Sequence, residues 1–305
     1  MLQCLGGGPP EVLYVVLPYF NFCGFRRRRE LFVQFVQRIR HPNVRIVVSE
    51  CLGPAPLPRL SGVWAHWTFK TDSNIWLKEN LINMAVRRMP RDWRYVAWID
   101  ADITFMNEQW VHDTLVGLQS HDILQLFQTA INIGPKGESM KLDKSFVYMY
   151  RDSGTTLVKN DRYGFWHPGY AWACRRQTWD AMGGLLDWAI MGSADRHMAY
   201  AWIGRVLDSA PGNIHPNYKA MLREFQAACR SFSLGYVHGT ILHHWHGSLE
   251  NRRYRERWNI LSGHQFDPLI DIGECPSSGM IQLTPAGRRM DHDLLDYFVG
   301  RKEDN

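Results

Sequence analysis

YVAWIDADITF, residues 95–105, is the stretch on which the fold turns. Tyr95 to Ile99 form a short apolar run rich in β-branched and aromatic residues, the composition of a buried strand. Asp100 and Asp102 follow at its exit. In an extended backbone, residues two apart share a face at roughly 6–7 Å, so both carboxylates can address one cation. A hard ion such as Mg²⁺ or Mn²⁺ takes oxygen ligands, commonly one or two carboxylates with substrate phosphates and water. An isolated Asp-x-Asp is also what a turn after a strand produces, so its surroundings must decide.

Upstream, EVLYVVLPYF (11–20) reads as a strand, and RRRELFVQFVQRIR (27–40) as a helix with Leu31, Phe32, Phe35, Val36 and Ile39 at helical spacing. VRIVVSE (44–50) is a second strand. The Pro-rich GPAPLP loop and a helical pattern over IWLKENLINMAVRRM (75–89) lead to the third, RYVAWID (94–100). Strands alternating with helices imply parallel pairing through right-handed crossovers, hence an α/β fold with a Rossmann-like, mostly parallel central sheet flanked by helices. Such sheets bind ligands at the carboxyl ends of their strands, where the two aspartates lie.

Downstream, Asn107 is placed to cap a helix over NEQWVHDTLVGL, and DILQLFQTAI (122–131) reads as one strand. The stretch from about 134 to 165 reads as a loop or flap. YAWACRR (170–176) looks extended, QTWDAMGGLL a helix reaching Gly183-Gly184, and GYVHGTILHHWHG (235–247) a further strand. HDLLDYFV (292–299) is a short helix in the tail.

The 305 residues are 45% hydrophobic and 21% charged, enough apolar material to bury a core. Thirty-five basic against 30 acidic residues leave a formal charge of +5, which permits an anionic substrate without approaching a histone-like composition. Six cysteines, none at the paired spacing of a zinc or redox motif, fit a reducing cytoplasm, the host's if the chain is viral. Val12 to Phe20, broken by Pro18 and preceded by no basic segment, reads as a strand and not a signal peptide or span, so no membrane partner is expected.

The blocks WLKENLINMAV, YVAWIDADITF, HPGYAWACRR, GSADRHM and HHWHGSLENRRYRER resemble nucleotide-sugar glycosyltransferases of the GT-A fold, over about residues 12–270, and within them a subgroup associated with bacteriophage and bacterial genomes. The resemblance implies one GT-A catalytic domain over 1–270, with a nucleotide-sugar half (1–130), an acceptor and catalytic half (131–270) that carries an acceptor-side extension, and a tail with a short helix (271–305). It implies Mn²⁺ or Mg²⁺ on Asp100, Asp102 and a late histidine, His243. It also places Pro18, Tyr19, Asn21 and Glu50 against the nucleoside and His246 on the diphosphate.

Three histidines in four residues (His243, His244, His246) are hard to explain by packing alone. In an extended chain His244 and His246 share one face and His243 the other, and periodicity does not choose among them. Lys78, Asn80 and Asn83 lie on the helix before the aspartates. Lys78 and Asn80 do not share a face, so Lys78 and Asn83 are the better donor contacts. ENRRYRER (250–257) brings arginines, Arg252 and Arg253 foremost, whose guanidinium forks suit phosphate oxygens. An acceptor hydroxyl needs a base; Asp195, after a small-residue turn and before an apolar helix, is the candidate, with His197 the alternative. Trp166, His167, Gly169, Tyr170 and Trp172 would line the acceptor side.

These residues point to an inverting, metal-dependent glycosyl transfer from a nucleotide-diphosphate sugar, a UDP-sugar foremost. One acceptor is a 5-hydroxymethylpyrimidine in phage double-stranded DNA, flipped from the stack, suggested by Arg26 to Arg29, the second arginine cluster and the aromatic segment. The other is a cell-surface or capsid glycan. A non-catalytic nucleotide-sugar or DNA-binding module is the reading of another class.

Overall fold

The computed structural model describes residues 11–152, 166–229 and 231–305. The first half runs β1 (Leu13–Phe20), α1 (Arg26–Arg38), β2 (Val44–Cys51), β3 (Ala65–Phe69), α2 (Lys78–Val86) and β4 (Tyr95–Ile99). It continues through β5 (Ile103–Phe105), α3 (Trp110–Ser120), β6 (Ile123–Gln125), β7 (Thr129–Ile133), β8 (Ser139–Ser145) and α4 (Phe146–Arg151). The second half holds β9 (Trp166–His167), β10 (Ala171–Arg175), α5 (Arg176–Met182), α6 (Ala194–Trp202), α7 (Pro216–Ala228), β11 (Leu234–Tyr236) and β12 (Thr240–His243). Last come α8 (Trp258–Gly263), β13 (Ile272–Glu274), β14 (Ile281–Leu283) and α9 (Asp291–Gly300).

The fold is α/β. Seven strands in the order β11-β6-β10-β4-β1-β2-β3 make the central sheet, parallel throughout except for β10, which runs antiparallel to β4 and β6. Both faces of this sheet are covered, which is why β1 is apolar at nearly every position. Val16 and Phe20 face one core with α2 and α6, while Leu13, Val15, Leu17 and Tyr19 face the other with Phe32, Phe35 and Val36 of α1 and Leu115 and Leu118 of α3.

A second sheet, β5-β12-β7-β8-β9, takes the chain immediately after Asp102. Its register matters for function. β5 pairs antiparallel with β12, Ile103 opposite His243, and the His244 amide donates to the Asp102 carbonyl at 2.8 Å. The aspartate pair and the histidine run, Asp102 and His243 being 141 positions apart in sequence, are therefore adjacent backbone segments.

Several expectations change. DILQLFQTAI is two strands, β6 and β7, that part into different sheets, and GYVHGTILHHWHG likewise divides into β11 and β12. The stretch read as a flap contains β8 and α4; its remainder, 153–165, lies outside the described residues. β3, absent from the sequence reading, adds an edge strand whose AHWTF pattern lacks the apolar run of its neighbours. The arginine cluster 250–257 lies on a short 3-10 turn, Glu250–Arg252, followed by turns. Residues 271–305 do not stand apart as a tail: Met290, Leu294, Tyr297 and Phe298 join the core that includes α2 and α6, and the Ile281 and Leu283 amides donate to Asn80 and Ser73. Among the described residues no helix is long and apolar enough to cross a membrane, and the described cysteines are unpaired.

Candidate metal and substrate site

A cleft of about 410 Å³ opens where the carboxyl ends of β1 and β4 meet the second sheet. On one wall Asp102 Oδ2 lies 2.8 Å from His246 Nε2 and 3.7 Å from His243 Nε2, and the two ring nitrogens are 3.4 Å apart. One ligand atom from each of these three residues falls within 4.8 Å of the others. Ligands bonded at about 2.1 Å and set at right angles are about 3 Å apart, so these separations match the edges of a coordination polyhedron. Asp102 Oδ1, buried, finds no hydrogen-bond partner among the described residues, an orphan that a bound cation or its water would satisfy. Burial holds the His243 imidazole neutral, its pKa lowered to about 4, the ligand-competent form.

The candidate cation set is thus Asp102, His243 and His246, while Asp100, expected beside Asp102, is engaged by Lys78. Strand alternation misleads at the histidines because β12 ends at His243 and the chain turns, carrying His246 back beside His243. His244 points away, to Thr104 Oγ1 at 2.8 Å and Arg38 at 3.3 Å. Asp100 faces Lys78: the ammonium lies 2.6 Å from Asp100 Oδ1 and 3.0 Å from Asp195 Oδ2. Lys78, on the first turn of α2, is 5% exposed, and against the burial that would discharge it the carboxylates of Asp100, Asp195 and Glu79 hold its pKa above the ordinary value. The cleft walls strip water from Asp100, lifting its carboxyl to about 6 despite the ammonium. Lys78 therefore ties the aspartate pair to the candidate base.

Asp195 sits in the first turn of α6, on the cleft wall with His167, Gly169 and Tyr170. A Cβ at Gly169 would come within 3.1 Å of the His167 ring and 3.4 Å of Asp195 Oδ2, so glycine keeps the space before the carboxylate open. Tyr170 holds φ of 75°, a strained value for an aromatic residue. Its ring stacks on His167 at 3.9 Å and its hydroxyl donates to Asn132 at 3.2 Å.

The third wall is basic. Arg252 Nη2 lies 2.8 Å from His246 Nε2, Arg257 reaches Ser193 Oγ at 2.5 Å, and Arg257 and Arg301 both donate to the Tyr297 hydroxyl. That hydroxyl in turn donates to the Arg252 carbonyl at 3.3 Å. Tyr297 of α9 is the hub on which three arginines are arranged, and burial of its phenol is outweighed by Arg257 and Arg301, which lower its pKa. Arg301 and Tyr297 escape the sequence reading because α9 looks like a detached tail, whereas Arg257 belongs to the arginine cluster 250–257 that the sequence singles out. Asp143, also in the cleft, escapes it because β8 reads as loop, and Asn132 because it lies one residue past the stretch that reads as a strand; the GPKG turn after Ile133, closed by Gly134 N to Glu138 O at 2.7 Å, is the hairpin signal.

Of the expected contacts, Pro18, Tyr19, Lys78, Asp100, Asp102, His167, Tyr170, Asp195, His243, His246 and Arg252 line this cleft. Seven others do not. Asn21 caps its own turn through Phe25. Glu50 is buried between the Leu57 amide at 2.8 Å and His66 at 2.6 Å. Asn83 bonds Leu185 and Asp187, the latter shared with Asn80. Arg253 lies over the outer side of Tyr297 and donates to the Asp296 carbonyl. Trp166 and Trp172 belong to the core, large apolar surfaces that pack before they line anything. His197 is fully buried between Ser209 Oγ at 2.6 Å and Tyr218 OH at 2.8 Å, with its pKa lowered to about 3 chiefly by burial, and so is a structural histidine and not a base facing substrate. Of Arg26 to Arg29, Arg27 and Arg28 turn inward to the Trp245 carbonyl and Glu303, which breaks up the stripe expected to meet DNA.

No family model matches the chain, and no curated protein matches its sequence. Among solved structures it is similar to a mutant Drosophila β1,4-galactosyltransferase 7 in complex with manganese, UDP-Gal and xylobiose, at 12% identity, over 90% of this chain and 93% of that one, with a TM-score of 0.42. It is similar also to residues 1–349 of Staphylococcus aureus TarS in complex with UDP-GlcNAc (11% identity, 65% and 54% covered, TM-score 0.40). A third is the 4-diphosphocytidyl-2C-methyl-D-erythritol synthase of Anaerococcus prevotii (11% identity, 75% and 88% covered, TM-score 0.34).

Proposed function

We propose that the chain is a metal-dependent glycosyltransferase of the GT-A kind, moving a sugar from a nucleotide-diphosphate donor, a UDP-sugar foremost, to an acceptor hydroxyl. The observation that carries this reading is the convergence in one cleft of the Asp102, His243 and His246 donor atoms, the arginines arranged on Tyr297, and the Asp195 carboxylate. A carboxylate with two imidazoles suits Mn²⁺ better than Mg²⁺, which prefers an all-oxygen shell. The same triad serves Fe²⁺ in oxygenases; three guanidiniums gathered beside it suit a departing diphosphate and favour the transferase reading.

In this reading the cation, when bound, neutralises charge on the diphosphate as it leaves. Arg252, Arg257 and Arg301 bind the phosphates. Pro18 and Tyr19 border the nucleoside side, and His167 and Tyr170 offer ring faces to the acceptor. Asp195 takes the acceptor's proton while the hydroxyl oxygen bonds to the anomeric carbon and the bond to the β-phosphate breaks, inverting that carbon. Lys78 holds Asp195 in place from behind. A sugar hydroxyl is the favoured acceptor, since two of the four arginines in the run proposed for DNA, Arg27 and Arg28, are engaged internally.

The test is donor turnover with and without Mn²⁺ over a panel of nucleotide sugars, with plain glycans and hydroxymethylated duplex as parallel acceptors. Asp102→Ala and His246→Ala should each lose metal-dependent turnover, His244→Ala should keep it, and the product's anomeric configuration reports inversion. Full activity in Asp102→Ala would sink the reading. Duplex labelling alone would transfer it to DNA, and donor binding without any turnover would reduce the chain to a binding module.

A further inference from the structure

Asn132 sits on β7 beside the cation site and is 7% exposed. The register puts it there: β12 runs parallel to β7 with His243 paired to Asn132, and β8 runs antiparallel to β7, with a register shift between Asn132 and Ile133. Three buried side chains thus fall in line. Asp143 Oδ2 is 2.8 Å from Asn132 Nδ2, and Asn132 Oδ1 is 2.8 Å from His243 Nδ1.

A carboxamide has one end that donates and one that accepts, and shape alone does not distinguish them. Here the partners do. The Asp143 carboxylate only accepts, and so does the Lys141 carbonyl, 3.5 Å from the same amide nitrogen. The NH₂ end must face them, which turns the carbonyl end toward His243 and the Tyr170 hydroxyl. A carbonyl oxygen only accepts, so His243 carries its proton on Nδ1. Its Nε2 is left with a lone pair aimed at Asp102 and His246. Asp143 is itself held by Lys141 Nζ at 2.6 Å from its other oxygen.

We propose that Asp143 and Asn132 form a polar relay that locks His243 as the Nδ1–H tautomer, which makes Asn132 a positioning residue for the cation site. An imidazole locked the other way would present a hydrogen to the cation. Outer partners of this kind are worth about 10- to 100-fold in metal affinity. The consequence for the cation rests on the proposed function; the tautomer does not, and the two are measured separately.

The experiment is ¹⁵N NMR of histidine-labelled protein, with His243 assigned by difference against His243→Gln, alongside Mn²⁺ titration. In the wild type His243 should show a protonated Nδ1 and a lone-pair Nε2. Asn132→Leu, similar in size but unable to accept, should populate the Nε2–H form and weaken Mn²⁺ binding about 10- to 100-fold. Asp143→Asn, which can turn its own amide and so frees that of Asn132, should give a mixture of tautomers and keeps the test open if the leucine variant fails to fold. A wild-type Nε2–H tautomer, or a tautomer unchanged in both variants, overturns the relay. A correct tautomer that shifts in the variants, in a protein that binds no Mn²⁺, upholds the relay and ends the metal reading instead.

Discussion

At the scale of single residues, the lesson lies in which polar side chains face the cleft and which face the core. Lys78 and His197 are both buried and both near Asp195 in the structure or the sequence, yet only Lys78 has carboxylate partners in the cleft. His197 is paired to two hydroxyls and its folded pKa is lowered to about 3, mainly by burial. In the unfolded chain it titrates near 6.5. Between those values the unfolded state binds a proton that the native state refuses, so stability falls as pH falls through this window, approaching about 1.4 kcal/mol per pH unit. From pH 7.5 to 5 the loss should reach about 2 kcal/mol. His197→Gln has no such proton to take up, so denaturant midpoints of the two proteins should converge as the pH drops; parallel behaviour would mean that His197 is not held neutral.

At the scale of elements, the site is made where β5 and β12 pair and where the chain leaves β12. Gly247 governs that exit. It holds φ of 87°, and a Cβ there would lie 2.9 Å from the Lys302 carbonyl and 3.1 Å from Glu303 Cα, backbone atoms that cannot step aside. Gly247→Ala should therefore cost about 1–3 kcal/mol in strain. Because His246 is the adjacent residue, Mn²⁺ affinity should fall with stability. A calorimetric unfolding scan and a metal titration on the same variant check both, and a stabilised or unaffected protein would show that the turn has room to spare. The boundaries of these elements were the least legible part of the sequence. Three-residue strands such as β5 and β6 carry too few residues to display a period, and β6 and β7 were fused because nothing local marks a change of sheet.

At the scale of the whole molecule, the last residues complete what the first helix lacks. α1 opens with Arg26 to Arg29, cations at the end of a helix whose dipole favours anions, and its own N-cap, Phe25, supplies no side-chain hydrogen bond. Asp304 supplies it from the far end of the chain, accepting from the Arg26 amide at 3.1 Å and the Arg27 amide at 2.7 Å. Buried Glu303 accepts from Arg28 at 3.0 Å and from Arg301 at 2.6 Å, with His246 Nδ1 3.9 Å away. Deleting 301–305 should remove a cap worth about 1 kcal/mol and leave Arg28 without its partner. Melting should drop by several degrees, and Mn²⁺ and donor should bind more weakly as His246 and the arginine wall lose their backing. A truncated protein with wild-type melting and metal affinity would show that the closing segment contributes nothing to the site.

The sequence by itself determined the parts written in local pattern. The alternation of apolar strands with amphipathic helices dictated the parallel α/β sheet, and a strand ending in Asp100 and Asp102 dictated where its ligand edge lies. Lys78, Asp195 and the histidine run could be singled out as candidates because charged and imidazole groups stand out beside apolar runs, and the structure gathers Lys78, Asp195, His243 and His246 in one cleft while His197 goes to the core. Only the tertiary structure decided which atoms meet. Whether Asp100 joins a cation or an ammonium depends on Lys78 arriving from α2, whether His244 or His246 faces Asp102 depends on where β12 stops, and whether residues 271–305 are a tail or a wall depends on Tyr297 packing into the core. Each of these is a contact between segments tens to hundreds of residues apart, set by sheet register and core packing, and no spacing along the chain encodes it.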